Sequence, residues 1–332
     1  MDFLQPGSLA EAVAAKAANP DAVPIAGGTD VMVELNFARR RPPALLDLTR
    51  VPELAGWSLQ DRRLRVGAGV TYAELTGERE SGSRNDLGRG VDQLSQGGDG
   101  LARAAGELGR LLPGLAMAAR TVGSPQIRNR GTIGGNLGSA SPAGDCHPPL
   151  LAAGAEVEVA RAGGTRLIPI DRFFTGVKRS ALAPDELITA VWISPPTGPE
   201  QFAKIGTRNA MVIAVVAFGL ALHPDRRAVG TGIGSAAPTP VHASEAETFL
   251  ATALNEAGLW ESRDALPESV LTEFGSLVSA ASRPIDDVRG TSAYRRHALA
   301  VLARRTLAWA WSDYRRSGRD GPAFGASAMA EE

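Results

Sequence analysis

The stretch Gly131-Thr132-Ile133-Gly134-Gly135-Asn136-Leu137 decides how this chain is to be read. It lacks strand alternation and sits inside residues 121–149, a run of polar and small side chains with few strand or helix features. Paired glycines let the backbone turn sharply and clear side chains from its surface, so that successive N–H groups can face one anion such as a diphosphate. Gln126-Ile127-Arg128-Asn129-Arg130 precedes the cluster, and Ser139-Ala140-Ser141-Pro142-Ala143-Gly144-Asp145 follows it. A compact domain seldom keeps so long an irregular run without a use for it.

A second cluster lies upstream. Ile25-Ala26-Gly27-Gly28-Thr29-Asp30 follows the predicted strand Val23-Pro24-Ile25 and precedes an apolar, predicted helical segment over residues 31–37. A helix start there adds its dipole to an anion site. Either Gly-Gly pair alone is compatible with a plain tight turn. Asn136, Ser139 and Asp145 add donors and acceptors suited to a ribityl chain, a ribose or a flavin edge.

Around these clusters the chain is ordinary. It has 332 residues, 44% hydrophobic and 21% charged, which suits two or three globular domains. Lys plus Arg is 35 and Asp plus Glu is 36, a formal net charge of -1, which argues against a dedicated nucleic-acid binder. A single cysteine, Cys146, excludes an internal disulfide and any cysteine-ligated cluster held by this chain alone. The N-terminus has no secretory pattern, and the longest apolar run, residues 211–222, is 12 residues against about 20 for a membrane span. A cytoplasmic protein with no membrane span is expected.

The pattern predicts helix, strand, helix, strand over residues 1–55, with Ser8-Leu9-Ala10-Glu11 as a capping box. Strands are predicted over residues 64–70, 155–159, 167–170 and 187–193, and a helix broken at Pro113-Gly114 over residues 101–120. Residues 77–100 read as an exposed, Gly-rich insertion. The turn-rich Ser194-Pro195-Pro196-Thr197-Gly198-Pro199 marks a boundary. Beyond it come strands over residues 202–205 and 229–234, a strand or helix over 211–222, and helices over 245–254 and 294–314. In the last helix Trp309 and Trp311 are both expected to pack inward. The segment after Arg316 is expected to be disordered. The expected units are thus 1–55, 56–196, 200–316 and a tail, 317–332.

The common catalytic signatures are missing. None of the four histidines stands at a metal-ligand spacing from another, and neither a nucleophile elbow nor a P-loop occurs. Gly230-Thr231-Gly232-Ile233-Gly234 does not complete a dinucleotide fingerprint and reads as packing.

The ordered set Pro24-Ile25-Ala26-Gly27-Gly28-Thr29-Asp30-Val31, Gln126-Ile127-Arg128-Asn129 and Gly131-Thr132-Ile133-Gly134-Gly135-Asn136-Leu137 resembles the FAD-binding (medium) subunit of the molybdenum hydroxylases, the xanthine dehydrogenase and carbon monoxide dehydrogenase flavoprotein family. Asp185-Glu186-Leu187-Ile188, Phe202-Ala203-Lys204-Ile205-Gly206 and Pro284-Ile285-Asp286-Asp287-Val288-Arg289-Gly290-Thr291 extend the likeness over roughly residues 1–310.

The resemblance implies an α+β fold: two α/β subdomains clamping FAD (the PCMH-type FAD-binding fold), then a C-terminal α+β domain with an antiparallel sheet. It implies an oxidoreductase subunit that takes electrons from [2Fe-2S] clusters of a small partner subunit, beside a large molybdopterin subunit, and passes them to NAD, a quinone or O2. It assigns Ile25, Ala26, Gly27, Gly28, Thr29, Asp30 and Val31 to the FAD diphosphate, with Thr132, Gly134, Gly135 and Asn136 facing it from the other side. Ser139 and Asp145 would bond further along the cofactor, Leu187 or Ile188 would pack on its ring system, and Lys204 would lie near the flavin. No catalytic residue and no metal ligand is implied in this chain. The wording of residues 209–214 and 234–240 resembles purine (xanthine) dehydrogenase flavoproteins in particular. Two alternatives stand beside this: a stand-alone flavoenzyme, for which Tyr72 is the one candidate acid, and a non-enzymatic scaffold using the Arg-rich C-terminal helix.

Overall fold

The computed structural model describes residues 1–78 and 107–317. The insertion expected over 77–100 falls outside them apart from Gly77 and Glu78, as does the tail after Ser317.

The N-terminal unit is a small parallel sheet. β1 (Asp2–Leu4) and β2 (Val23–Ile25) flank the fully buried β3 (Ala44–Asp47). α1 (Leu9–Ala18) and α2 (Val31–Asn36) make the crossovers. Ser8 starts α1 by accepting the Glu11 N–H at 3.2 Å, and the Glu11 carboxylate accepts the Gly7 N–H at 2.7 Å. Ala12 and Val13 then bury against the sheet.

A second sheet is antiparallel. β4 (Trp57–Gln60), β5 (Arg63–Gly67), β6 (Glu156–Arg161) and β7 (Gly164–Pro169) join β10 (Leu187–Ile193) in the order β4-β5-β10-β6-β7. A small hairpin, β8 (Phe174–Gly176) and β9 (Arg179–Ser180), precedes β10. Between β5 and β6 run α3 (Tyr72–Thr76), α4 (Glu107–Leu111), α5 (Pro113–Arg120), α6 (Pro125–Arg128), α7 (Ile133–Ser139) and α8 (His147–Ala153). α9 (Ile170–Phe173) follows β7, so Ile170 begins a helical turn and does not end a strand.

Residues 121–149, irregular by pattern, thus hold most of three short helices. In α7 the glycine cost is overcome locally. The Thr132 hydroxyl caps the helix by accepting the Gly135 N–H at 3.0 Å, and Ile133 and Leu137, one turn apart, are both buried. Backbone bonds from Ile133 to Val70 (3.0 Å) and from Gly134 to Ala68 (2.9 Å) tie α7 to the end of β5.

The C-terminal unit is a three-stranded antiparallel sheet, β11 (Glu200–Ile205), β12 (Val216–His223) and β13 (Ala228–Gly234). α10 (Ser244–Glu256), α11 (Leu259–Ser262), α12 (Glu268–Ala280) and α13 (Ser292–Ser317) complete it around Phe218, Phe274 and Leu299. Residues 211–215 lie before β12 and join no strand. Gly230 and Gly232 serve packing: a Cβ on Gly232 would fall 2.1 Å from the Pro148 carbonyl oxygen, and one on Gly230 2.0 Å from that of Ala152. The sheet therefore lies directly on the backbone of α8. Trp311 is buried beside Trp260 and Tyr314, but Trp309 is 47% exposed, contrary to expectation. Residues two apart on a helix point to nearly opposite sides and cannot share an inner face. Arg295 is buried on α13 and donates to the carbonyls of Val215 (2.9 Å) and Ser235 (2.7 Å) and to Asp287 (2.5 Å). No helix among the described residues is long and apolar enough to cross a membrane.

Where the second sheet's helices meet the C-terminal sheet, the buried Glu200 carboxylate accepts the Gly114 N–H at the start of α5, at 2.9 Å. Burial pushes this carboxyl from its usual 4.5 to about 7. The folded chain then binds more protons than the unfolded one between those values, so stability falls as pH rises from 4.5 to 7. Glu200→Gln keeps the acceptor and removes the titration. Urea unfolding is expected to show the variant more stable than wild type by about 3 kcal/mol at pH 8 and equal to it near pH 4.

Candidate functional site

The two glycine clusters, about a hundred residues apart in sequence, meet in space. The loop leaving β2 carries Gly27 against the segment entering α7: a Cβ on Gly27 would fall 1.9 Å from the Arg130 carbonyl oxygen and 3.0 Å from the Gly131 nitrogen. Gly28 holds φ +76°, which leads the chain into α2. On the other side of α7, a Cβ on Gly134 would fall 2.6 Å from the Ala68 Cβ. These glycines let three backbone segments pack without side chains between them.

Gly135 and Gly138 lie on a different flank of α7, one turn apart, and both are exposed. A Cβ would touch only Thr132 Oγ1 at 3.0 Å from Gly135, and only Ile188 Cδ1 at 3.8 Å from Gly138. α7 thus presents bare backbone beside Ile188. Ile188 and its neighbour Leu187 are otherwise part of the core, and a bulge in the pairing of β10 with β6 falls just after Ile188. Ala26 and Thr29 are half-buried in the first loop, and Asp30, at the start of α2, is exposed and makes no side-chain cap. Ile25 ends β2 and Val31 opens α2.

Beneath α7 lies a polar layer. Ser139 donates to the Asn136 carbonyl at 3.0 Å, and His147 Nε2 approaches the same oxygen at 3.3 Å. Lys204 Nζ, from β11, reaches Asp145 Oδ2 at 2.6 Å and the Thr121 carbonyl at 3.3 Å. Thr121 Oγ1 also donates to Asp145 Oδ2, at 3.2 Å. Both charged side chains are nearly closed off from solvent, 7% and 9% exposed. Burial pushes the Asp145 carboxyl up, against the pull of Lys204 and Thr121. Asn136 Oδ1 and Asp145 Oδ1 are buried and have no hydrogen-bond partner. Such oxygens are costly unless a further donor satisfies them. No residue pattern indicates that Lys204 and Asp145 pair, 59 residues apart, or that Thr121 and His147 belong to this layer.

Tyr72 does not stand ready as an acid. It is buried against Gly131, and burial raises both its phenol and the neighbouring Cys146 thiol. His147, its ring tilted 46° to that of Phe174 with centroids 4.5 Å apart, is pushed down to about 4 by burial and is neutral at pH 7. Among the described residues no cluster could hold a metal ion. A bare glycine flank and two unsatisfied buried oxygens fit an extended polar cofactor with hydroxyl donors and a face to lay on the helix, and FAD is such a molecule.

Residues 1–196 match the family described as the FAD binding domain in molybdopterin dehydrogenase, and residues 201–310 match the CO dehydrogenase flavoprotein C-terminal domain. The chain is 29% identical over 310 residues to the xanthine dehydrogenase FAD-binding subunit of Escherichia coli O157:H7, covering 90% of this chain and 92% of that one. It is 31% identical over 260 residues to the nicotinate dehydrogenase FAD-subunit of Eubacterium barkeri, covering 75% and 79%. Among solved structures, a chain of the Cu,Mo-CO dehydrogenase in its cyanide-inactivated form superposes with a TM-score of 0.77 at 25% identity, over 94% of this chain and 98% of that one.

Removing one member of the buried pair leaves the other without its counter-charge. Asp145→Asn and Lys204→Met are each expected to cost about 3 kcal/mol in chemical denaturation, and the double variant less than the sum of the two. Additive losses would show that the pair is not coupled.

Proposed function

The chain belongs to the FAD-binding subunits of the molybdopterin dehydrogenases, an oxidoreductase family, and we propose that it is the electron-transfer subunit of a purine (xanthine) dehydrogenase complex. Its partners would be a large molybdopterin subunit and a small [2Fe-2S] subunit, and its location the cytoplasm. The observation that carries this reading is the contact of the two glycine loops, Gly27 on the Arg130 carbonyl, beside the bare flank of α7. The units 1–55 and 56–196 would then supply opposite walls of one FAD cleft, and 200–316 its floor through Lys204.

When bound, FAD supplies a centre that takes electrons and releases them singly or as a hydride. The chain's part is to hold and tune it. Backbone N–H groups of residues 25–31 would bind the diphosphate, with Thr132, Gly134 and Gly135 bordering it as bare backbone, since the Gly134 and Gly135 N–H groups are already given to the Ala68 carbonyl and Thr132 Oγ1. The unsatisfied Asn136 and Asp145 oxygens would accept from cofactor hydroxyls, with Ser139 beside them. Ile188, next to Gly138, would cover the ring system, with Leu187 behind it. Lys204 would act as one half of a neutral pair and not as a lone cation. NAD, a quinone or O2 would be the acceptor.

Two measurements test this. Because Asp145 offsets Lys204, Asp145→Asn is expected to raise the flavin midpoint potential and Lys204→Met to lower it; no shift in either removes the pair from the flavin's surroundings. The complex given xanthine and NAD is expected to bleach its flavin and form NADH. Turnover of nicotinate or carbon monoxide, with none of purines, would contradict the substrate assignment.

A further inference from the structure

We propose that Glu200 is a positioning residue for the Lys204–Asp145 pair, acting through α5, which is held as a strut between Glu200 and Lys204. The consequence for the cofactor rests on the reading of that pair as a neighbour of FAD.

Side chains alternate along β11, so Glu200, Phe202 and Lys204 leave the strand on one side. α5 lies against that side. Gly114 comes so near that a Cβ there would fall 3.0 Å from the Glu200 Cβ. From Glu200 to Lys204 the strand advances about 13 Å, and from Gly114 to Thr121 the helix rises about 11 Å. Strand and helix therefore bridge nearly equal distances, and both ends are tied. Leu112, the N-cap residue of α5, gives the helix no side-chain cap, and the Glu200 carboxyl takes the Gly114 N–H instead, at 2.9 Å. At the other end Thr121, the C-cap residue, offers its carbonyl to Lys204 Nζ at 3.3 Å and its hydroxyl to Asp145 Oδ2 at 3.2 Å. An acid at the helix start and a cation at its end also suit the helix dipole.

The body of the strut has little room to yield. Ala116, Ala118 and Ala119 are buried, and alanine has no rotamer with which to absorb a shift. A displacement at Gly114 is therefore passed along α5 to Thr121, and from Thr121 to both members of the pair. Glu200 thus bears on Lys204 and Asp145 from four residues away along the strand, by setting where the end of the helix stands.

Two substitutions separate length from acceptor. Glu200→Gln keeps both, and Glu200→Asp draws the acceptor back by one methylene. At pH 5.5 the wild-type carboxyl is protonated, since burial raises it to about 7, so Glu200→Gln matches it in charge as well. In the FAD-loaded chain Glu200→Asp is expected to shift the flavin midpoint potential, and Glu200→Gln to hold it at wild type. The shift is expected to vanish when Asp145→Asn and Lys204→Met are both present, because no pair is left to place. In the chain without flavin, double-mutant cycles of unfolding read the coupling of Asp145 with Lys204. That coupling is expected to fall about fivefold, as a ratio of unfolding constants, with Glu200→Asp and to stay with Glu200→Gln. Thr121→Val cuts the tie at the far end and is expected to reproduce both effects, with nothing added by Glu200→Asp. Wild-type potential and coupling in Glu200→Asp would overturn the inference and leave Glu200 a part of the joint alone. A departure in Glu200→Gln as large as in Glu200→Asp would overturn it too. Coupling that falls in Glu200→Asp, with a potential that no substitution at Glu200, Asp145 or Lys204 moves, would uphold the strut and contradict the placement of the pair beside the flavin.

Discussion

Where the loop after β2 meets the segment entering α7, the backbones lie too close for any side chain: a Cβ at Gly27 would overlap the Arg130 carbonyl. The same condition recurs at Gly134 against Ala68 and at Gly230 and Gly232 against α8. Glycine contacts of this kind join the first unit to the second and the second to the third. Overpacking by a single methyl group costs about 1–3 kcal/mol in a well-packed core, and at these contacts the overlap is with backbone that has no rotamer to yield. The glycines are conformationally costly elsewhere, and here they set how the parallel sheet, the antiparallel sheet and the C-terminal sheet are joined.

That junction determines the electrostatics of the site. α8 rests on the glycine face of β13, and β11, at the other edge of the same sheet, delivers Lys204 to Asp145, which precedes α8. The pair is 59 residues apart in sequence and is enclosed by both units. An ion pair so enclosed recovers its desolvation only when the geometry is tight, so it fixes the relative placement of the two units more than it stabilises either. Two oxygens of this layer, Asn136 Oδ1 and Asp145 Oδ1, are left without a hydrogen-bond partner.

Local chemistry made much of this legible in sequence. The strand-glycine-helix pattern around residues 23–37 corresponds to β2 and α2, Ser8 caps α1, and the packing role read for Gly230 to Gly234 is what β13 uses them for. What could not be read depends on contacts distant in sequence. α7 is helical because Thr132 caps it and Ala68 and Val70 receive its first N–H groups, whereas its glycines alone argue for a loop. The pairing of Lys204 with Asp145 has no periodic signature. Trp309 and Trp311, two apart on one helix, cannot both face the core: Trp311 faces Trp260, and Trp309 faces solvent. α12 has no clear sequence signature, because its apolar residues are interleaved with Ser, Thr and Glu and pack against α13.

The direct measurement is the visible spectrum of the purified chain, followed by heat release and identification of the chromophore. A flavin spectrum with one releasable FAD per chain is the expected result. A folded, colourless chain that does not take up added FAD would contradict the assignment of the two glycine loops to that cofactor.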